Sequence, residues 1–188
     1  GGQIETSGYT LNVGAASIDS SSDNGVAGLW LLDPDSIYVG DSYGVLRSTI
    51  NTALASNNVT LATSGTTSYS TNVADGLGNI FIGGEITSSA GNTLTLDADG
   101  DIYINAPISG NMSLSLTASD EVQINQPVDI DGSLSVSNTG QFTTAFLNNL
   151  IADAGVFQTG SGDTSLGGNI TTGTGNIEFA GDLELRTD

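Results

Sequence analysis

The chain has 188 residues, of which 37% are hydrophobic and 12% charged, and it contains neither Cys nor His. Twenty-one acidic residues face two basic ones, Arg47 and Arg186, for a net charge of −19; this excludes a phosphate-backbone binder and argues against an anionic membrane surface as partner. Without His or Cys no Ser–His or Cys–His nucleophile pair can form, and no window approaches the roughly 18 apolar residues of a spanning helix, so membrane insertion is not predicted either.

In chain order, the first predicted element is a short helical turn over Ser48 to Ala55, where Ile50, Ala53 and Leu54 fall on one side. Asn58-Val-Thr-Leu61 then alternates polar and apolar residues as a half-buried strand does. The Gly- and Ser-rich residues from Thr63 to Leu77 read as an insertion loop. After it the chain repeats itself. Asn79-Ile-Phe-Ile-Gly-Gly-Glu-Ile86, Asp101-Ile-Tyr-Ile-Asn-Ala-Pro-Ile108 and Glu121-Val-Gln-Ile-Asn-Gln-Pro-Val128 align with steps of 22 and then 20 residues. A second track, Leu94/Leu96, Leu114/Leu116 and Leu134/Val136, keeps a 20-residue step.

Self-similarity at a fixed short period, built from alternating strands, marks a solenoid whose coils stack. Each coil is predicted to send Leu94, Leu96, Ile102 and Ile104 inward and Thr93, Thr95, Tyr103 and Asn105 outward, with like residues superposed about 4.8 Å apart in parallel ladders. Pro107 and Pro127 share one slot beside a strand, where a missing N–H costs least. Thr143 to Ala154, with Phe146, Leu147, Leu150 and Ile151, is a second helical candidate. Short strands resume in Gly155 to Thr159, Thr164 to Thr171 and Gly175 to Leu185. No linker or break in composition divides residues 1–188, so the expectation is one β-helix segment of about nine coils and about 45 Å, excerpted from something longer.

Several stretches also resemble a known family. Gly1-Gly-Gln-Ile-Glu-Thr-Ser-Gly8, Gly28-Leu-Trp-Leu-Leu-Asp-Pro34, Asn58-Val-Thr-Leu61 and Gly100-Asp-Ile-Tyr-Ile-Asn-Ala-Pro-Ile108 are similar, in order and spacing, to the large filamentous-haemagglutinin-like exoproteins of Gram-negative bacteria. The Trp-Leu-Leu-Asp-Pro stretch carries most of that likeness. Phe157-Gln-Thr-Gly-Ser-Gly and Leu166-Gly-Gly-Asn-Ile-Thr-Thr are similar to the family's later repeats. The resemblance implies a right-handed parallel β-helix, export through an outer-membrane transporter of the two-partner type, and release from or retention at the cell surface. It also implies a role in adhesion, biofilm formation or contact-dependent competition.

Few residues suggest chemistry. Asp97, Asp99 and Asp101 alternate around Gly100 as in some calcium loops, but the EF-hand's later Glu and its Gly position are missing. Asp19, Asp23, Asp33, Asp35, Asp129 and Asp131 are weaker candidates of the same kind. No cofactor other than calcium is suggested. Asn58, Asn111 and Asn169 open acceptor-type glycosylation sequons. Trp30 with Leu29, Leu31 and Leu32 reads as core packing or a shield over a coil edge.

Three functions are therefore weighed. The first is a non-enzymatic structural and adhesive shaft that meets host-cell, matrix or carbohydrate surfaces through its Thr/Ser/Asn ladders or the loop near 63–77. The second is an extracellular filament subunit that stacks end to end through unpaired strand edges. The third is a polysaccharide-active enzyme using paired carboxylates.

Overall fold

The computed structural model of the chain describes residues 1–8, 11–14, 16–22, 25–64 and 78–186. Within them the alternating pattern is realised as a parallel β-helix of about eight coils, with one short helix.

The early strands are β1 (Gln3–Ser7), β2 (Gly28–Asp33), β3 (Ile37–Gly40) and β4 (Val45–Leu46), followed by α1 (Arg47–Leu54), β5 (Asn57–Ala62) and β6 (Ile80–Ile82). The regular coils begin with β7 (Ile86–Ala98) and β8 (Ile102–Ile104), then β9 (Ile108–Ala118) and β10 (Val122–Ile124). From there the bent strand splits in two, giving β11 (Val128–Ile130), β12 (Leu134–Asn138) and β13 (Phe142–Thr144) in one coil. The next coil holds β14 (Leu150–Ala152), β15 (Val156–Gln158) and β16 (Thr164–Leu166); the last holds β17 (Ile170–Thr171), β18 (Ile177–Phe179) and β19 (Leu183–Leu185).

Every strand pairing is parallel, and the register superposes like on like. Ile80, Ile102 and Val122 are partners, as are Ile82, Ile104 and Ile124. Leu94, Leu114 and Leu134 form a second column, and Ile86, Ile108 and Val128 a third. All of these side chains are buried. Each column removes apolar surface from water while every strand hydrogen-bonds to the next coil, so packing and backbone satisfaction are achieved together. The expected slot for Asn58 to Leu61 is also met: Val59 pairs with Leu94 and Leu61 with Leu96. Trp30 lies wholly in the core beside Val59, its indole N–H donating to Thr6 Oγ1 at 3.1 Å, while Leu29 and Leu31 point outward and are half-exposed.

The coil count falls from the expected nine to about eight. The steps from Gln3 to Leu29, Leu29 to Asn58 and Val59 to Leu94 all exceed the later 20-residue step, as from Asn105 to Asn125. Among the described residues, the first two of these steps hold α1 and chain outside any strand, while most of the extra length of the third, residues 65–77, lies outside the described residues. Leu11, Val13 and Ile18 run outside any strand yet pack against the core. Thr49 of α1 donates its hydroxyl to the Gly14 carbonyl.

The predicted helical turn is thus α1, one residue earlier than expected. It buries Thr49, Ile50, Ala53 and Leu54 and lies beside the start of β7. Asn51 accepts from the Thr87 N–H at 3.2 Å, and Asn92 donates to the Leu54 carbonyl at 2.9 Å, which occupies one of the carbonyls a helix end leaves open. The second helical candidate, Thr143 to Ala154, is a correction: that stretch is the end of β13, a connection, and β14. Phe142 and Thr144 continue the ladder of β10, and Leu150 and Ala152 that of β11. Those register partners outweigh a local helical spacing, and Phe146 and Leu147 are left exposed on the connection. Residues 65–77, most of the expected insertion loop, lie outside the described residues; at its borders, Thr63 donates its hydroxyl to the Gly78 carbonyl.

One corner depends on glycine. Gly110 sits at φ +104 where β9 bends, and a Cβ there would run into the Ser88 carbonyl of the coil before. Gly110→Ala is expected to destabilise the chain by about 2 kcal/mol or more, read as a drop in the midpoint of urea unfolding.

Candidate interaction surface

Two columns of outward positions on β5, β7, β9 and β12 form an uncharged grid, with Asp97 outward beside it at the end of β7. Thr60, Thr95, Ser115 and Ser135 are successive register partners, making one column along the rod. Beside it, Thr93 pairs with Ser113, flanked by Asn58 and Ser133. Asn58 accepts from the Thr93 N–H at 2.8 Å, and the Ser133 N–H reaches Ser113 Oγ at 3.4 Å. Parallel strands place these groups about 4.8 Å apart along the rod, and alternation places them two residues apart along each strand. All are half-exposed, and the grid is bounded by Leu31 at one end and Phe157 at the other. Within a chain of net charge −19, the two columns carry no carboxylate. Their rigidity comes from the aliphatic columns directly beneath.

A second outer surface, on β3, β6 and β8, carries aromatic rings. Tyr38 is the register partner of Phe81, and Phe81 of Tyr103. Phe81 and Tyr103 stack with centroids 4.7 Å apart and planes 14° from parallel, and Tyr38 stacks on Tyr43 at 4.5 Å and 6°. The Tyr103 hydroxyl donates to Asp101 Oδ2 at 2.8 Å. Hydrogen bonding to Tyr43, then burial, then the nearby negative groups including Asp41 push the Tyr38 phenol up to about 12. Stacking spends ring faces on neighbouring rings, leaving edges for solvent, so this surface is a poor platform for a sugar ring. A double-mutant cycle on Phe81→Ala and Tyr103→Ala is expected to give a coupling of about 0.5–1.5 kcal/mol in thermal or urea unfolding. The signal was legible in the repeat, since Phe81 and Tyr103 share the middle of an Ile-x-Ile slot.

The acidic candidates do not converge. Asp97 lies outward at the end of β7, while Asp101 uses Oδ1 to accept the Glu121 N–H at 2.9 Å and Oδ2 for Tyr103. The Asp99 N–H donates to Thr63 Oγ1 at 3.1 Å, which ties the corner to the preceding coil. Among the described residues no group of three or more acidic side chains is placed to hold a metal ion. Asp19 is held below the usual carboxylate range by hydrogen bonds from the side chain and then the backbone of Ser21; Asp23 lies outside the described residues. Of the sequon residues, Asn111 and Asn169 are exposed, whereas Asn58 is engaged in the grid.

Both arginines are occupied. Arg47 pairs with Asp41 and lies 4.0 Å from Glu85, and Arg186 donates to the Thr144 carbonyl at 2.5 Å with its guanidinium over the Phe146 ring.

Sequence reasoning missed four buried amides, Asn57, Asn79, Asn138 and Gln158, of which Asn79 accepts the Asp101 N–H at 2.7 Å. Asn57 is fully buried: its Nδ2 donates to the carbonyls of Ile18 and Ala53, both at 2.9 Å, and its Oδ1 accepts from the N–H and the hydroxyl of Ser20. Asn138 and Gln158 are joined inside the rod, Gln158 Nε2 donating to Asn138 Oδ1 at 3.0 Å.

Fold and surface together define a β-solenoid with an uncharged polar grid on one face and two stacked aromatic pairs on another. No protein family, curated protein or solved structure matches the chain.

Proposed function

We propose that the chain is a rigid, non-enzymatic segment of an exported bacterial surface protein, and that it makes adhesive contacts through the Asn/Thr/Ser grid of β5, β7, β9 and β12. The observation that carries this reading is the grid itself: outward hydroxyls in fixed columns, free of charge, on a backbone held rigid by the ladders below. A surface of this kind presents many weak hydrogen-bonding groups in one pre-organised plane, and multivalent contact then accumulates affinity without a cleft. Export through an outer-membrane two-partner transporter to the surface of a Gram-negative cell rests on the family resemblance of residues 1–128 and belongs to the same proposal.

The test is retention of the purified chain on immobilised neutral polysaccharides, acidic polysaccharides and matrix proteins. The chain is expected to be held by at least one of these. Ser115→Gln with Ser135→Gln, which leaves the charge unchanged but breaks the plane, is expected to reduce retention at least tenfold. Equal retention of the double variant, or none by the parent chain, would overturn the reading.

A second reading is favoured by one feature. Ile177, Leu183 and Leu185 continue the inner columns into the last coil and are 45%, 48% and 69% exposed, beside the edge strands β18 and β19. Such an edge is what a further coil covers, and a neighbouring copy stacked end to end would form a filament. Growth of scattering intensity with concentration, with rods longer than about 40 Å in electron micrographs, would support that arrangement.

A further inference from the structure

The inner columns change character along the rod. From β8 to Val136 of β12 they are aliphatic, formed by Ile102, Ile104, Ile108, Leu114 and their register partners, and Asn138, which follows Ala118 at the end of β12, is the first polar residue to enter them. Beyond β12, further polar residues enter them: Thr144 follows Ile124, Gln158 follows Val136, and Thr164 follows Phe142. All three are buried. Thr164 Oγ1 and Arg186 Nε find no hydrogen-bond partner among the described residues, nor does Asp33 Oδ1 in β2, whereas β7 to β12 hold no such group. An orphaned buried polar group loses its hydration with nothing in exchange, so these coils gain less from folding than the regular coils of β7 to β12. Glycine adds to the deficit. Residues 155–181 hold eight glycines, against four in the nearly twice longer span 86–138, and each glycine loses more conformational freedom on folding than any other residue.

One side chain ties these coils to the rest. Gln158 Nε2 donates to Asn138 Oδ1 and to the carbonyls of Gly160 and Gly162, at 3.0, 3.0 and 2.9 Å. Its Oε1 accepts from the N–H groups of Ala180 and Gly181 at 2.9 and 3.3 Å. A single buried amide thus bridges the coil of β12 to the end of β18.

We infer that residues 160–186, from β16 to β19, form a separate cooperative unit that opens while the rest of the rod stays folded, and that Gln158 is its latch. In a solenoid, stability is a sum of coil terms and nearest-neighbour terms, so a stretch with a weak interior opens at its own free energy. Opening bares Phe142 and the edges of β13, β14 and β15 that β16, β17 and β18 cover, and moves the unpaired edge back to those strands. Closing covers these strands again.

Hydrogen exchange of the intact chain, followed by mass spectrometry, tests this. Amides of β16, β17, β18 and β19 are expected to exchange at least 100-fold faster than those of β8 to β12, and at one common rate. Gln158→Leu is expected to speed exchange in β16 to β19 at least tenfold while changing β8 to β12 less than twofold. Should that variant fail to fold, Thr164→Val serves instead: it removes the orphaned hydroxyl at nearly constant shape and is expected to slow exchange in β16 to β19 alone. Equal protection from β8 to β19, a smooth gradient with no step near residue 160, or variant effects spread evenly over the rod would overturn the inference.

Discussion

Ile104→Asp is expected to leave no folded rod, while Asn105→Asp, one residue along the chain, stays within about 1 kcal/mol of the parent. Ile104 is 0% exposed and stacked between Ile82 and Ile124, with aliphatic neighbours in the coils before and after. A carboxylate there loses its hydration in a column without a cation, an effective penalty of several kcal/mol. The loss of packing in three successive coils adds to it, against a total stability of about 5–15 kcal/mol for an ordinary domain. Asn105 faces solvent and accepts a hydrogen bond from Asn125 Nδ2 at 2.9 Å, and an Asp can still accept it. Far-UV circular dichroism and size-exclusion chromatography of the two variants read the contrast directly. A cooperative melt of Ile104→Asp close to that of the parent would mean that this position does not face an inner column.

Asn57→Leu is expected to destabilise the chain by about 3–5 kcal/mol, more than a typical change at a fully buried polar site. Its amide meets four groups, and the substitution leaves the Ile18 carbonyl and the Ser20 N–H and hydroxyl without that partner, while the Ala53 carbonyl keeps only the Ser56 N–H at 3.0 Å. Those groups belong to the irregular segment before β2 and to the end of α1, so both ends of the first coils depend on one side chain. Urea unfolding gives the magnitude. Proteolysis of the folded variant is expected to cut first within residues 11–22, because that segment has no strand ladder of its own.

What the sequence revealed follows from where its periodicity is strict. Between Ile80 and Val136 an aliphatic residue returns to the same slot every 20 to 22 residues, so strands, inward faces and register could all be read before any coordinates. The Thr/Ser positions of the grid were legible for the same reason, as the other half of the alternation. Where the inner columns turn polar, the reading weakened. Thr143 to Ala154 looked helical because Phe146, Leu147, Leu150 and Ile151 share a helical spacing, yet long-range pairing to β10 and β11 decided the outcome. Asn57, Asn79, Asn138 and Gln158 gave no warning, since amides are common on the surface of this chain and burial leaves no local mark. The count of coils was overestimated because the longer steps before Leu94 were assigned the mean repeat.

The scarcity of cations has a consequence for proteolysis. Trypsin-like proteases cut after Lys or Arg, and this chain offers them two peptide bonds, Arg47–Ser48 and Arg186–Thr187. The first lies in α1 beneath a side chain clasped by Asp41, where the helix would have to unwind before cleavage. A β-solenoid of this composition is expected to withstand that class of enzyme through the near-absence of cleavable bonds, and needs no disulfide to do so.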